Sequence, residues 1–155
     1  MDALLLRNAI FAAGVGQLAL AAASLALPRV LGWREDTARL KPLTRQVFWT
    51  YAGYIWAANL SFGLLSSLAP STMLDGSLLA TALCGYIALY WTSRLAIQFF
   101  VFDRSKTKEG RLFQLAEVAL TSLFVFLVTA YGTAMAWNLG WIAGPGMLTC
   151  VAGAS

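Results

Sequence analysis

The chain has 155 residues, of which 59% are hydrophobic and 12% are charged, with 11 Lys and Arg against 7 Asp and Glu. Soluble domains carry roughly 25% charged residues, so this composition excludes an ordinary water-soluble fold and predicts an all-α integral membrane protein. The net charge of +4 is small and concentrated in loops, so we expect no nucleic-acid partner. The chain has no histidine, which excludes the commonest metal ligand and general base.

Four apolar stretches follow one another along the chain, at Leu4–Leu31, Val47–Leu68, Leu78–Phe102 and Leu112–Trp137. Each can cross a hydrocarbon layer of about 30 Å, which needs roughly 20 helical residues. The first is too long for the apolar part of a signal peptide. We expect residues 1–137 to form a transmembrane four-helix bundle of up-down-up-down topology. The apolar tail at 138–155, which contains glycines and a proline, is expected on the outer face.

The first stretch carries a row of small residues with alternating spacings of four and three: Ala12, Gly16, Ala19, Ala23 and Ala26. Such a row lets another helix backbone approach closely. The partner could be a helix of the same bundle, a second protein or a second copy of this chain. The sequence leaves these alternatives open.

Basic residues gather in the first loop, 32–46, and the third, 103–111, whereas the second loop, Ala69–Ser77, contains only the acid Asp75. Short basic loops stay on the cytoplasmic side of a membrane. The first and third loops are therefore expected to be cytoplasmic and both termini to face outward, in a membrane such as the bacterial inner membrane. The first loop has room for a short interfacial helix around Asp36–Leu40.

Turn and cap residues mark the predicted helix ends. Gly32 directly follows the first stretch, where a glycine often caps the C-terminus of a helix. Pro42 is expected in the first turn of the second helix. Pro70 stops that helix, and Asp75 and Ser77 can each cap the third.

The second stretch is rich in aromatic residues. Either these residues anchor the helix at the membrane interface and pack against its neighbours, or they form a wall for a flat apolar ligand. Another face of this stretch carries Asn59, Gly63 and Ser66. This face predicts close packing against a neighbouring helix, with one interhelical hydrogen bond.

Two charges lie inside the apolar stretches, Arg94 in the third and Glu117 in the fourth. Consecutive antiparallel helices place both toward the cytoplasmic end, and an unpaired charge there is costly. We therefore predict a contact between Arg94 and Glu117, direct or through one water. Either the pair holds two helices together, or Arg94 anchors an anionic headgroup or carboxylate while Glu117 orients it. A third interpretation makes Glu117 a site of proton or cation exchange.

Polar side chains near these two charges predict a half-buried ligand-binding pocket that opens toward the cytoplasm. Gln98 and Tyr90 each lie about one helical turn from Arg94, and Gln114 and Thr121 flank Glu117. Arg45 enters from the start of the second helix. The predicted ligand-binding residues are Arg94, Glu117, Gln98, Tyr90, Gln114, Thr121 and Arg45.

No nucleotide-binding loop, nucleophile elbow or metalloprotease motif is present in the sequence. Cys84 and Cys150 are far apart in the sequence. We therefore expect them to act as small apolar side chains that fill space rather than as a redox pair. We predict no cofactor and no metal, and membrane lipids as partners. The leading hypothesis is a membrane protein that binds a lipid-like or anionic amphipathic ligand, or serves as an accessory subunit or homo-oligomer. The alternatives are a small lipid-modifying enzyme and an oligomeric transporter of lipophilic compounds.

Overall fold

The computed structural model describes residues 2–30, 32–100 and 111–142, and the regular structure within these ranges is entirely helical. The helices in chain order are α1 (Ala3–Ser24), α2 (Leu27–Val30), α3 (Trp33–Ala38), α4 (Pro42–Leu68), α5 (Leu78–Phe100) and α6 (Arg111–Asn138), with a 3-10 turn at Thr72–Leu74. The predicted all-α class is confirmed. Most of the third loop and most of the tail, with Cys150, lie outside the described residues.

The first apolar stretch is interrupted near its end. Pro28 has no backbone N–H to donate to the carbonyl of Ser24, so α1 ends at Ser24. The N–H groups of Leu25 and Ala26 then bond to carbonyls three residues earlier, and the chain turns into α2. Beyond α2, Gly32 adopts a left-handed φ of 66°, and α3 follows close to the short helix expected at residues 36–40.

Local signals account for the ends of α4 and the start of α5. Pro42 lies in the first turn of α4, and the helix ends two residues before Pro70. The Ser77 hydroxyl accepts the Ala80 N–H at 3.1 Å and so caps α5, while the Asp75 carboxylate accepts the Ser77 N–H at 2.8 Å. Hydrogen bonds from the hydroxyl and the N–H of Ser77 hold the pKa of Asp75 below its usual value.

The four long helices pack as two antiparallel pairs. In the first hairpin α1 packs against α4, and in the second hairpin α5 packs against α6. Contacts between α1 and α6 join the hairpins on one side. On the other side, the Phe62 ring of α4 meets Tyr86 and Tyr90 of α5, with ring centroids 5.9 and 5.4 Å apart. Aromatic side chains rather than close backbones therefore connect α4 to α5.

Glycines allow the closest approach, which lies within the first hairpin. A Cβ atom added at Gly14 of α1 would lie 2.7 Å from the backbone nitrogen of Ser67. One added at Gly63 of α4 would lie 3.1 Å from the backbone nitrogen of Leu18. Gly63 and Ser66 are both buried, so the close packing predicted for their face of the second stretch is confirmed.

The predicted small-residue row of α1 plays little part in this packing. Four of its members, Ala12, Ala19, Ala23 and Ala26, are exposed on the outside of the molecule. Gly16 alone faces another long helix closely, because an added Cβ there would lie 3.0 Å from the Leu123 side chain of α6. The buried face of α1 instead contains Leu6, Ile10, Ala13, Gly14, Gln17 and Ala21.

Most of the buried residues lie toward one end of the molecule, which we call the packed end and which carries the connection 69–77. The residues of α4 that are buried lie at its C-terminal end, and those of α5 lie between Ala80 and Trp91. At the opposite, open end, no residue is classed as buried in the ranges 42–61, 92–100 and 114–123. The helices therefore share a common core at the packed end and expose their sides at the open end.

Two helical segments of the described chain are long and apolar enough to cross a membrane, Ala3–Val30 and Gln114–Asn138. The helices α4 and α5 do not pass the same test, because their tyrosines, tryptophans and polar side chains make them less apolar. Membrane crossing by all four long helices is therefore not confirmed by length and composition.

Candidate functional site

A groove of about 480 Å³ opens on the surface of α6 near the open end. Its described lining comes from residues that recur at spacings of one, three and four along α6, so they share one helix face: Gln114, Glu117, Val118, Thr121 and Ser122. Four of the five are polar, in a helix whose other exposed residues are largely apolar. Three of them, Gln114, Glu117 and Thr121, are residues that the sequence predicted for a ligand site.

A short chain of hydrogen bonds connects this groove to α5. Gln98 of α5 donates from Nε2 to the Thr121 hydroxyl at 2.8 Å, and that hydroxyl donates to the Glu117 carbonyl oxygen at 2.8 Å. Gln98 thus meets the groove face as predicted. The Thr121 hydroxyl has one bond as acceptor and one as donor, whereas the exposed side chains of Gln114 and Ser122 lie on the outer surface of the same helix face.

The other predicted site residues lie elsewhere. Tyr90 turns toward α4, where its ring packs on Phe62 and its hydroxyl lies beside Asn59. Arg94 is exposed, one helical turn from Tyr90 along α5. Arg45 is exposed at the start of α4. None of these three is among the described residues that line the groove.

Arg94 and Glu117 form no ion pair within 4.0 Å between their described side chains. The reason is the register of the second hairpin, which is set by the Trp91–Phe124 ring contact and by the Gln98–Thr121 hydrogen bond. In that register Glu117 lies about 6–12 Å nearer the open end than Arg94, at 1.5 Å per residue. The direct form of the predicted contact is therefore absent.

A second polar cluster lies in the buried core at the packed end, and it joins three helices. The Tyr131 hydroxyl of α6 is 2.5 Å from Nε2 of Gln17 on α1 and 2.6 Å from Oγ of Ser66 on α4. All three residues are fully buried. Gln17 Nε2 also reaches the Ala13 carbonyl at 3.4 Å, while its Oε1 atom has no partner among the described residues. These bonds connect the first hairpin to the second.

The loop that closes the packed end is tied to this core. The Met73 carbonyl accepts the Asn138 side-chain amide at 2.8 Å and the Cys84 thiol at 3.5 Å. The side-chain oxygen Oδ1 of Asn138 accepts the Gly76 N–H at 3.0 Å. Asn138 thereby holds the connection 69–77 against the end of α6.

Neither Gln17 nor Tyr131 was among the predicted site residues. A signal for Gln17 was present, because it is the only glutamine of the first apolar stretch. Polar side chains in such stretches often hydrogen-bond across helices. The partner could not be inferred, because Tyr131 and Gln17 are 114 positions apart.

Among the described residues, no three His, Cys, Asp or Glu side chains come together in a way that could hold a metal ion. Cys84 is a buried free thiol. The geometry defines a helical protein with a polar groove on one helix and a buried polar core between two hairpins. The chain matches no family model, no curated protein and no solved structure.

Proposed function

We propose that this chain is a multi-pass membrane protein with all four long helices in the bilayer, and that it binds an amphipathic, lipid-like ligand in the α6 groove. The observation that carries the membrane assignment is the outward apolar surface of each long helix. Exposed large side chains include Leu5 and Phe11 on α1, Leu64 and Ile55 on α4, Leu79 and Leu89 on α5, and Val118 and Val125 on α6. Water-soluble helices turn a polar face outward, whereas a bilayer favours apolar side chains there.

The hydroxyl groups on these outer faces support the same assignment. The exposed hydroxyls donate to the backbone carbonyl four residues earlier in their own helix, at 2.6–3.0 Å, in Thr50, Ser61, Thr92, Ser93, Thr129 and Thr133. In a hydrocarbon layer no water is present to satisfy a polar group, so such internal bonds are needed. The aromatic residues that make α4 less apolar suit membrane interfaces and helix packing.

The groove supports the ligand part of the proposal. An amphipathic molecule can place its polar group against Gln114 and Ser122 and its apolar part along Val118 and the neighbouring apolar surface of α6. A lipid reaches such a surface groove directly from the bilayer. Binding of an anionic group through Arg94, which the sequence suggested, receives no support from the groove lining.

The orientation follows from charge. We place the basic segment 32–46 on the cytoplasmic side and the connection 69–77 outside, in a membrane such as the bacterial inner membrane. Single cysteines test this orientation in intact cells with a membrane-impermeant thiol reagent, in a chain that carries Cys150→Ser. We expect Asp75→Cys to react from outside and Arg39→Cys to react only after permeabilisation. The parent chain should stay unlabelled because Cys84 is buried, and the reverse pattern would refute the orientation.

Filling the groove tests the ligand. We expect the purified protein to retain a lipid-like molecule through a mild detergent, as detected by mass spectrometry. Ser122→Trp should lower the retained amount about tenfold or more, since overpacking costs roughly 1–3 kcal/mol.

Thr129→Trp is the matched control, since Thr129 is an exposed hydroxyl residue of the same helix outside the groove lining. Equal retention by the two variants, or no retained ligand in the unmodified chain, would remove the ligand proposal. A co-purified protein with no lipid would instead favour the accessory-subunit hypothesis.

A further inference from the structure

We propose that the open end of the first hairpin is a binding surface for anionic phospholipid headgroups, formed by α2, α3 and the start of α4. The proposal rests on the membrane location proposed above and concerns a different surface from the α6 groove. Its three elements are an excess of positive charge, an aromatic cluster, and exposed aliphatic side chains between the charges.

The charge at this end is strongly positive. The basic residues here are all exposed, and they are Arg29, Arg34, Arg39, Lys41 and Arg45. Against these five stand two acids, Glu35 and Asp36, so residues 29–45 carry a net charge of +3 out of +4 for the whole chain. At the packed end, the connection 69–77 contains Asp75 and no basic residue. Because of this charge difference, an anionic surface is attracted to the open end rather than to the packed end.

An aromatic cluster fixes the position of this segment. Trp33 of α3 packs on Phe48 and Trp49 of α4, with ring centroids 5.3 and 6.4 Å apart, and the latter two rings are 5.7 Å from each other. The Thr37 hydroxyl is bonded to the Trp33 carbonyl at 2.6 Å, and Thr37 is buried. Tryptophan side chains prefer the boundary between acyl chains and headgroups. The cluster therefore holds the neighbouring cations at the level of lipid phosphates.

Exposed aliphatic side chains lie among the basic ones. Val30 and Leu43 expose 64% and 72% of their surface, and Leu27 and Leu40 are each 40% exposed. A soluble phosphate or a nucleic acid offers nothing to these side chains, whereas a phospholipid presents a phosphate and acyl chains together. This mixture of cations and aliphatic groups favours a lipid over a free anion.

The test uses the full chain in a mild, uncharged detergent, titrated with short-chain phosphatidylglycerol or phosphatidylcholine while binding is followed by tryptophan fluorescence. We expect tighter binding of phosphatidylglycerol, with a preference that weakens as salt is raised. The double variant Arg39→Gln with Lys41→Gln should weaken phosphatidylglycerol binding about 25-fold, at roughly fivefold for each cation near a membrane surface. The double variant Glu35→Gln with Asp36→Asn should strengthen it.

Arg7→Gln is the control, since Arg7 is an exposed cation near the N-terminus of α1. Thermal unfolding of each variant verifies that it is folded, and the acid-removing variant keeps the test decisive if the base-removing one unfolds. Equal binding of the two lipids, or an equal loss with Arg7→Gln, would overturn the inference. Competition by millimolar inorganic phosphate would also overturn it and assign a free-anion site. If cysteine labelling shows membrane insertion while the lipid preference is absent, this inference fails and the proposed function stands.

Discussion

Replacing Gly14 by valine should separate α1 from α4 and strongly lower the stability of the first hairpin. A Cβ atom at this position would lie 2.5 Å from the Ser67 hydroxyl oxygen, 2.7 Å from the Ser67 nitrogen and 2.9 Å from the Ser66 carbonyl carbon. Two of these three atoms are backbone atoms, so the clash is relieved only by moving a whole helix. We expect the free energy of unfolding to fall by about 3 kcal/mol or more, at the upper end of overpacking effects.

Gly53→Val provides the matched control for this prediction. Gly53 lies in α4, and an added Cβ there meets nothing within 4 Å. Because glycine is a poor helix former, the control should keep or slightly raise stability. Unfolding by a denaturing detergent, followed by circular dichroism, compares the two variants. If Gly14→Val unfolds no more readily than Gly53→Val, the close contact between α1 and α4 does not exist. Gly14→Ala should fall between valine and the unmodified chain.

Removing the hydroxyl of Tyr131 should loosen the contact between the two hairpins. Phenylalanine keeps the ring and its packing, but it leaves Gln17 Nε2 with only the weak 3.4 Å bond to Ala13. Ser66 is left with the 3.5 Å contact to the Met73 sulfur. Interhelical hydrogen bonds in membranes average about 0.6 kcal/mol and reach about 1.7 kcal/mol. Two lost bonds with buried partners should therefore lower the free energy of unfolding by roughly 1–3 kcal/mol.

The cause of that loss can be separated from general damage to the core. Suppose that the free energy of unfolding falls because Gln17 and Ser66 are left buried without a hydrogen-bond partner. In that case the triple variant Gln17→Leu, Ser66→Ala, Tyr131→Phe should recover much of the lost stability, because it leaves none of these polar groups unsatisfied. Tyr86→Phe is the control, since Tyr86 is 60% exposed and meets Phe62 through its ring. A Tyr131→Phe variant as stable as Tyr86→Phe would show that the cluster does not hold the hairpins together.

The helices themselves were predictable because their signals are local. Long apolar stretches, Pro42 at the start of α4 and the Ser77 cap of α5 act within a few residues of chain. The face with Gly63 and Ser66 was predictable for a similar reason, since helical spacing determines which residues share a side. Three groove residues, Gln114, Glu117 and Thr121, also share a side of one helix, which explains why the sequence brought them together.

Contacts between different helices were harder to predict from the sequence. Arg94 and Glu117 were matched by depth alone, but the contacts Trp91–Phe124 and Gln98–Thr121 shift the register of α5 and α6 so that the two charges lie at different levels. The small-residue row of α1 was a plausible contact surface, yet the helix turns Gly14 and Gln17 inward and leaves most of that row exposed.

By itself the sequence determined that the chain is helical, where most of its long helices begin and end, and at which end the positive charge gathers. These properties depend on apolar length, on prolines and caps, and on the position of charges along the chain. Only the tertiary structure decided the register of the hairpins, the joining of Gln17, Ser66 and Tyr131, and the looser packing at the open end. Such choices depend on how well side chains from distant segments fit together, and a list of residues in chain order does not contain that fit.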